Sequence, residues 1–108
     1  MESYTLESLK EIIRTSPALM VYFYNDNCAP CMVLRPKMKE LMDSEFPLIR
    51  QEYINAAEQP EISSAYGIFS APVVLVFFDG QEVSRDSKFV SINEFNSKIG
   101  RYYSMYFE

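Results

Sequence analysis

At 108 residues, with 48% hydrophobic and 23% charged side chains, the chain has the size and composition of one compact domain that buries a core without a multi-bridge disulfide scaffold. Ten basic against fifteen acidic residues give a formal net charge of −5, which argues against nucleic acid or an anionic membrane as partner. Histidine is absent, and with it Ser-His-Asp triads, Cys-His proteases and His-ligated metal sites.

In chain order, Leu6, Leu9, Ile12 and Ile13 share one helical face behind Thr5, a natural N-cap, and Ser16-Pro17 stops that helix. Leu19 to Tyr24 is a continuous apolar run of the kind found in strands buried on both faces, and Asn25-Asp26-Asn27 breaks it. A second helix is expected from Ala29 or Pro30 to about Ser44, with Leu34, Met38, Leu41 and Met42 facing inward. Leu48 to Ile54 reads as a strand, and Pro60 to Tyr66 as a short helix closed by Gly67. Asp79-Gly80 between Val73–Phe78 and Gln81–Ser87 is a hairpin signal. A last helix starts at Ser91, with Glu94 completing a capping box, and carries Phe95, Ile99, Tyr102, Tyr103 and Tyr106. Strands alternating with helices and closed by a hairpin predict an α/β domain over 1–108, a mixed central β-sheet with helices on both faces.

The segment from Met1 to Glu7 lacks the basic stretch and apolar run of a secretory signal. The runs Ala18 to Tyr24 and Ala71 to Phe78 are less than half the length of a membrane helix, so a soluble, cytoplasmic protein is expected.

Both cysteines of the chain fall in Cys28-Ala29-Pro30-Cys31. Random placement of two cysteines gives this spacing about 2% of the time, which points to a selected pair. The motif lies where a strand gives way to a helix N-terminus, and free amide N–H groups there stabilise a thiolate. Cys28 is therefore the candidate nucleophile. Cys31, one turn inside the helix and less exposed, is placed to resolve a mixed disulfide. Three blander readings compete: a structural bridge, two buried thiols, and half of a metal site. The bridge would close so short a loop that it constrains the unfolded chain by only roughly 2 kcal/mol. The metal site would need two ligands from elsewhere.

Around this motif the sequence resembles the thioredoxin family. The resemblance rests on Val21 to Tyr24 leading into the Cys-x-Pro-Cys element, Pro36 five residues after Cys31, Tyr66-Gly67-Ile68, Ser70-Ala71-Pro72, and Phe77-Phe78-Asp79-Gly80-Gln81-Glu82-Val83, in that order over nearly the whole chain. It implies the thioredoxin fold and protein-disulfide reductase activity through Cys28 and Cys31, without a bound cofactor. The implied partners are disulfide-containing protein substrates and a separate disulfide reductase for recycling. Substrate-binding positions would be Asn27, Ala29, Pro30, Ala71 and Pro72, the last with a cis peptide bond and facing the cysteines. Pro36 is read as a bend in the active-site helix rather than a catalytic group. The rivals are a more oxidising or isomerising member of the same fold and a redox-inactive binding module.

The departures from the family lie at four positions. Asn27 stands where Trp is usual and Ala29 where Gly is usual; Tyr22 replaces a buried Asp, and Tyr53 aligns with that acid's lysine partner. A phenol with an ordinary pKa near 10 is a poor base at neutral pH, so Tyr22 is expected to slow the resolving step or leave it to water. Glu52 could substitute only by turning inward, which strand alternation opposes if Tyr53 points in. Arg35, Lys37 and Lys39 are read as a solvated face. Met20, Met38 and Met42 are read as core, with Met32 the exception beside Cys31. The tail from Tyr102 to Phe107 is expected to pack as the end of the last helix in a monomer, with a weak dimer contact as the alternative.

Overall fold

The computed structural model describes residues 4–108; residues 1–3, part of the stretch read above for a signal pattern, lie outside the described residues. The described residues form four helices and four strands in the order α1 (Leu6–Thr15), β1 (Ala18–Tyr24), α2 (Ala29–Glu45), β2 (Arg50–Asn55), α3 (Pro60–Tyr66), β3 (Val73–Phe78), β4 (Gln81–Asp86) and α4 (Ile92–Phe107). The sheet order is β2-β1-β3-β4, with β1 parallel to β2 and antiparallel to β3, and β3 antiparallel to β4. This is the mixed sheet expected from the alternation.

Strand β1 is buried on both faces because both of its side-chain rows have a cover. Ala18, Met20 and Tyr22 face α2 and α4, meeting Leu34, Met38 and Met42 from one and Phe95 and Ile99 from the other. Leu19, Val21 and Phe23 face α1 and α3, meeting Leu9, Ile13 and Ile62. The period-2 alternation of a strand thus divides one apolar run between two cores.

The helix boundaries follow their caps. Thr5 and Ser8 exchange side-chain-to-backbone bonds at the start of α1; at α4 the Ser91 hydroxyl accepts from the Glu94 N–H, but the Glu94 side chain makes no return bond, so the capping box expected there is only half formed. Gly67 ends α3 at φ +69°, its N–H and that of Ile68 returning to Ser64 and Ser63 carbonyls. Asp79 and Gly80, both at positive φ, make the tight turn between β3 and β4.

The structure departs from the sequence reading at several positions. Strand β2 begins at Arg50 rather than Leu48, because Pro47 and Leu48 form a turn closed by the Ile49 N–H on the Phe46 carbonyl. Ile49 enters the core from that turn, while Leu48 points outward at 61% exposure. Leu41 is only half-buried. The aromatic tail packs on its own domain: Tyr102, Tyr103 and Phe107 lie against the core, with ring contacts to Phe78 and Phe46. Met20, Met38 and Met42 are fully buried and Met32 is 70% exposed, the division expected from the sequence. Among the described residues no helix is long and apolar enough to cross a membrane.

Candidate active site

Strand β1 ends at Tyr24, and the loop through Asn27 delivers the chain to Cys28, the N-cap of α2. Asn25 shapes this loop by accepting the Asn27 N–H on its side-chain oxygen. Cys28 and Cys31 are joined in a disulfide with their Cα atoms 5.2 Å apart. The Cys28 sulfur also accepts the Cys31 backbone N–H at 3.1 Å. A donor aimed at this sulfur at a helix N-terminus favours negative charge on it once the disulfide is opened.

Cys28 is 7% exposed and Cys31 1%. The order is the one expected, but Cys28 is more enclosed than a strand-to-helix junction suggests, since its sulfur is turned toward the Cys31 amide. Asn27, Ala29 and Pro30 around it are exposed.

The Ala71-Pro72 peptide bond is cis, with Pro72 buried and Ala71 half-buried at the start of β3. A cavity of about 360 Å³ beside this loop is lined by Asn25, Ala57, Pro60, Ile68, Phe69 and Ala71, so it joins the cysteine loop to the proline loop. Phe69, at 88% exposure, stands on its rim and was not singled out from sequence. A larger cavity of about 560 Å³, lined by Tyr4, Glu52, Tyr53 and Glu58 among others, lies along the edge strand β2 and includes neither cysteine. Pro36 sits within α2 and is exposed; as proline it has no N–H for the Met32 carbonyl, which the solvated surface around Met32 can satisfy.

Behind Cys31 lies a cluster of phenols. Tyr22 is fully buried, and its hydroxyl donates to the Cys31 carbonyl at 3.0 Å. Burial pushes its pKa up to about 12, against a lowering by Arg35 and with a further rise from Tyr53. Tyr22 is therefore a neutral donor at every physiological pH, tied to Cys31 by a hydrogen bond rather than acting as a base. Tyr53 is its partner in the β1–β2 register, ring centroids 5.6 Å apart, and donates its own hydroxyl to Gln51 at 2.7 Å. Burial raises the Tyr53 pKa as well. Glu52 faces away from this cluster, tied to the Tyr4 hydroxyl and to Arg50, which removes it as a base for Cys31.

Arg35 corrects the reading of a uniformly solvated face. Lys39 pairs with Asp43 at the surface, but Arg35 is half-buried, its guanidinium carbon 4.7 Å from the Tyr24 ring centroid and 4.8 Å from that of Tyr53. The sequence supplies the parts of this stack, since Tyr22 and Tyr24 share a strand face and Arg35 lies four residues beyond Cys31, but not the packing of α2 over those rings.

A cysteine pair bonded across the first turn of a helix, with a cis-proline bond ahead of β3 on a mixed sheet, fits a thiol-disulfide oxidoreductase. The chain belongs to the thioredoxin family, whose sequence pattern it matches over residues 1–100. It is 29% identical over 103 residues to the thioredoxin-like protein YdfQ of Bacillus subtilis (strain 168), covering 95% of this chain and 91% of that one. It is 32% identical over 90 residues to a thioredoxin of Rickettsia bellii (strain RML369-C), covering 83% of each. Among solved structures, Plasmodium falciparum thioredoxin superposes with a TM-score of 0.80 at 19% identity, over 93% of this chain and 96% of that one. Fasciola hepatica thioredoxin gives 0.77 at 24% identity, over 90% and 93%. These two likenesses support the fold.

Proposed function

We propose that this protein reduces disulfides in other proteins, with Cys28 as nucleophile and Cys31 as resolving thiol. The observation that carries the reading is the Cys31 N–H directed at the Cys28 sulfur from the first turn of α2. In the reduced protein the Cys28 thiolate attacks one sulfur of a substrate disulfide, forming a Cys28–substrate bond and releasing the other substrate sulfur as a thiolate that takes a proton from solvent. Cys31, deprotonated, then attacks the Cys28 sulfur. The Cys28–Cys31 bond forms, the Cys28–substrate bond breaks, and the second substrate sulfur leaves as a thiolate and is protonated. Two electrons pass from the protein dithiol to the substrate. The Ala71-Pro72 loop and the exposed Asn27, Ala29 and Pro30 present the surface against which the substrate chain is held.

A separate disulfide reductase returns the protein to the dithiol in this scheme, and no bound cofactor takes part. Its place is a reducing compartment such as the cytoplasm, where dithiol exchange contributes to electron transport and redox homeostasis. Reduction of insulin disulfides in dithiothreitol tests the reading: the protein accelerates precipitation of the insulin chains well above dithiothreitol alone. An unchanged rate would overturn it and favour a binding module.

A further inference from the structure

The guanidinium of Arg35 is held on two aromatic faces, and among the described residues no carboxylate pairs with it. The ion pairs among the described residues engage Arg14, Lys39, Arg50, Arg85 and Lys98, leaving Arg35 to the rings of Tyr24 and Tyr53. A half-buried cation loses hydration, and ring faces return only part of it. Four residues along α2 from Cys31, Arg35 lies on the same helical face one turn deeper. The phenols link the two residues: Tyr22 donates to the Cys31 carbonyl and packs on Tyr53, and Tyr53 lies under the guanidinium.

Glu58 lines the cavity along β2 with Tyr24 and Tyr53, and the groups nearest the cluster are these. From β1 come Tyr22 and Tyr24, and from β2 Tyr53, all phenols. On α2, Asp43 is exposed and bonded to Lys39 and Gln51, and those two bonds hold its carboxyl below the usual range. Glu52 is on the opposite face of the sheet, with Tyr4 and Arg50. Arg35 is thus the charge packed on this cluster, and a negative charge forms four residues before it on α2 when the disulfide is opened and Cys31 loses its proton.

We propose that Arg35 is a positioning residue for the resolving step: clamped between Tyr24 and Tyr53, it sets a fixed positive charge one turn behind Cys31 and stabilises the Cys31 thiolate that attacks the mixed disulfide. The proposal rests on the dithiol reading above. It also supplies what Tyr22 cannot, since a phenol held neutral assists Cys31 only through its hydrogen bond, whereas a nearby cation shifts the thiol equilibrium itself.

The test separates charge from packing and does not depend on turnover. In the reduced Cys28→Ser protein Cys31 is the remaining cysteine, and the pH titration of its 13Cβ chemical shift reports the thiol directly. Arg35→Gln is expected to move that midpoint up by about one pH unit, and Arg35→Lys, which keeps the charge, to restore most of the difference. Should Arg35→Gln fail to fold, Arg35→Met keeps the aliphatic stem and carries the same expectation. With both cysteines present, resolution is followed on mixing reduced protein with the disulfide of 2-nitro-5-thiobenzoate, as release of the second equivalent. The neutral variant should slow it roughly threefold at neutral pH, because a tenfold lower thiolate fraction is partly offset by the greater nucleophilicity of a more basic thiol. An unchanged midpoint in the neutral variant, or a lysine variant displaced as far as the glutamine one, overturns the proposal. If insulin reduction fails while the titration behaves as described, the dithiol reading falls and the electrostatic coupling of Arg35 to Cys31 stands.

Discussion

The Tyr22 hydroxyl donates to the carbonyl of Cys31 at 3.0 Å from a fully buried ring, which ties the centre of the sheet to the second cysteine of the active-site helix. Two consequences follow for stability. Tyr22→Phe keeps the packing and removes one hydrogen bond, a loss of about 1 kcal/mol at neutral pH by urea denaturation.

The second consequence is alkaline. Burial raises the Tyr22 pKa from 10.0 to about 12 in the folded protein, so the unfolded chain gives up this proton first. The associated stability is fully present below pH 10 and is lost as pH rises through 12. Urea midpoints measured across that range should fall more steeply for the parent than for Tyr22→Phe. Tyr53 and Tyr66, also raised by burial, are common to both proteins and cancel in the comparison. Equal slopes would mean that Tyr22 ionises as freely in the fold as outside it.

Tyr22→Asp asks whether a base at this depth helps resolution. The loss of a whole ring from the core adds a cavity to the cost of a buried carboxylate, so destabilisation should reach at least about 3 kcal/mol. The variant should also release a disulfide substrate faster in a single turnover at neutral pH, because a carboxylate near Cys31 can accept its proton. A destabilised variant that resolves no faster shows that water already handles this proton.

How far the sequence anticipated this molecule depends on the kind of interaction. Elements set by local chemistry were legible: the Thr5 and Ser91 caps, Gly67 at φ +69° and the Asp79-Gly80 turn lie where their residue types require them. The pairing of Tyr22 with Tyr53 was also legible, because strand register follows from the resemblance. The start of β2 was not, since Leu48 is apolar and yet belongs to the turn after Pro47. The Tyr24–Arg35–Tyr53 stack escaped because a cation on a helix reads as solvent-facing until the aromatic rows of two strands are known to lie beneath it. The Tyr22 bond to Cys31 escaped for a similar reason: it needs the depth of α2 over β1, which no local pattern encodes.

Gly67 offers a test of the local readings. A Cβ there would meet Arg85 and Phe69 atoms at 3.8 and 3.9 Å, ordinary contact, so Gly67→Ala should suffer only from its left-handed backbone. The expected cost is about 1 kcal/mol in urea denaturation, and a neutral outcome would mean that the end of α3 rearranges.

The two thiols should differ in rate as well as role. In the reduced protein iodoacetamide should label Cys28 well before Cys31, since Cys28 is the more exposed and takes the amide bond at the helix N-terminus. Peptide mapping at short times distinguishes the sites, and equal labelling would remove the electrostatic asymmetry between them.

The central claim is that Cys28 attacks and Cys31 resolves, and trapping of the mixed disulfide tests it most directly. Reduced Cys31→Ser protein incubated with a disulfide-containing protein should accumulate a covalent complex that survives denaturing electrophoresis and is released by dithiothreitol. Reduced Cys28→Ser protein should form little or none. A complex formed equally by both variants, or only by Cys28→Ser, would contradict the assignment.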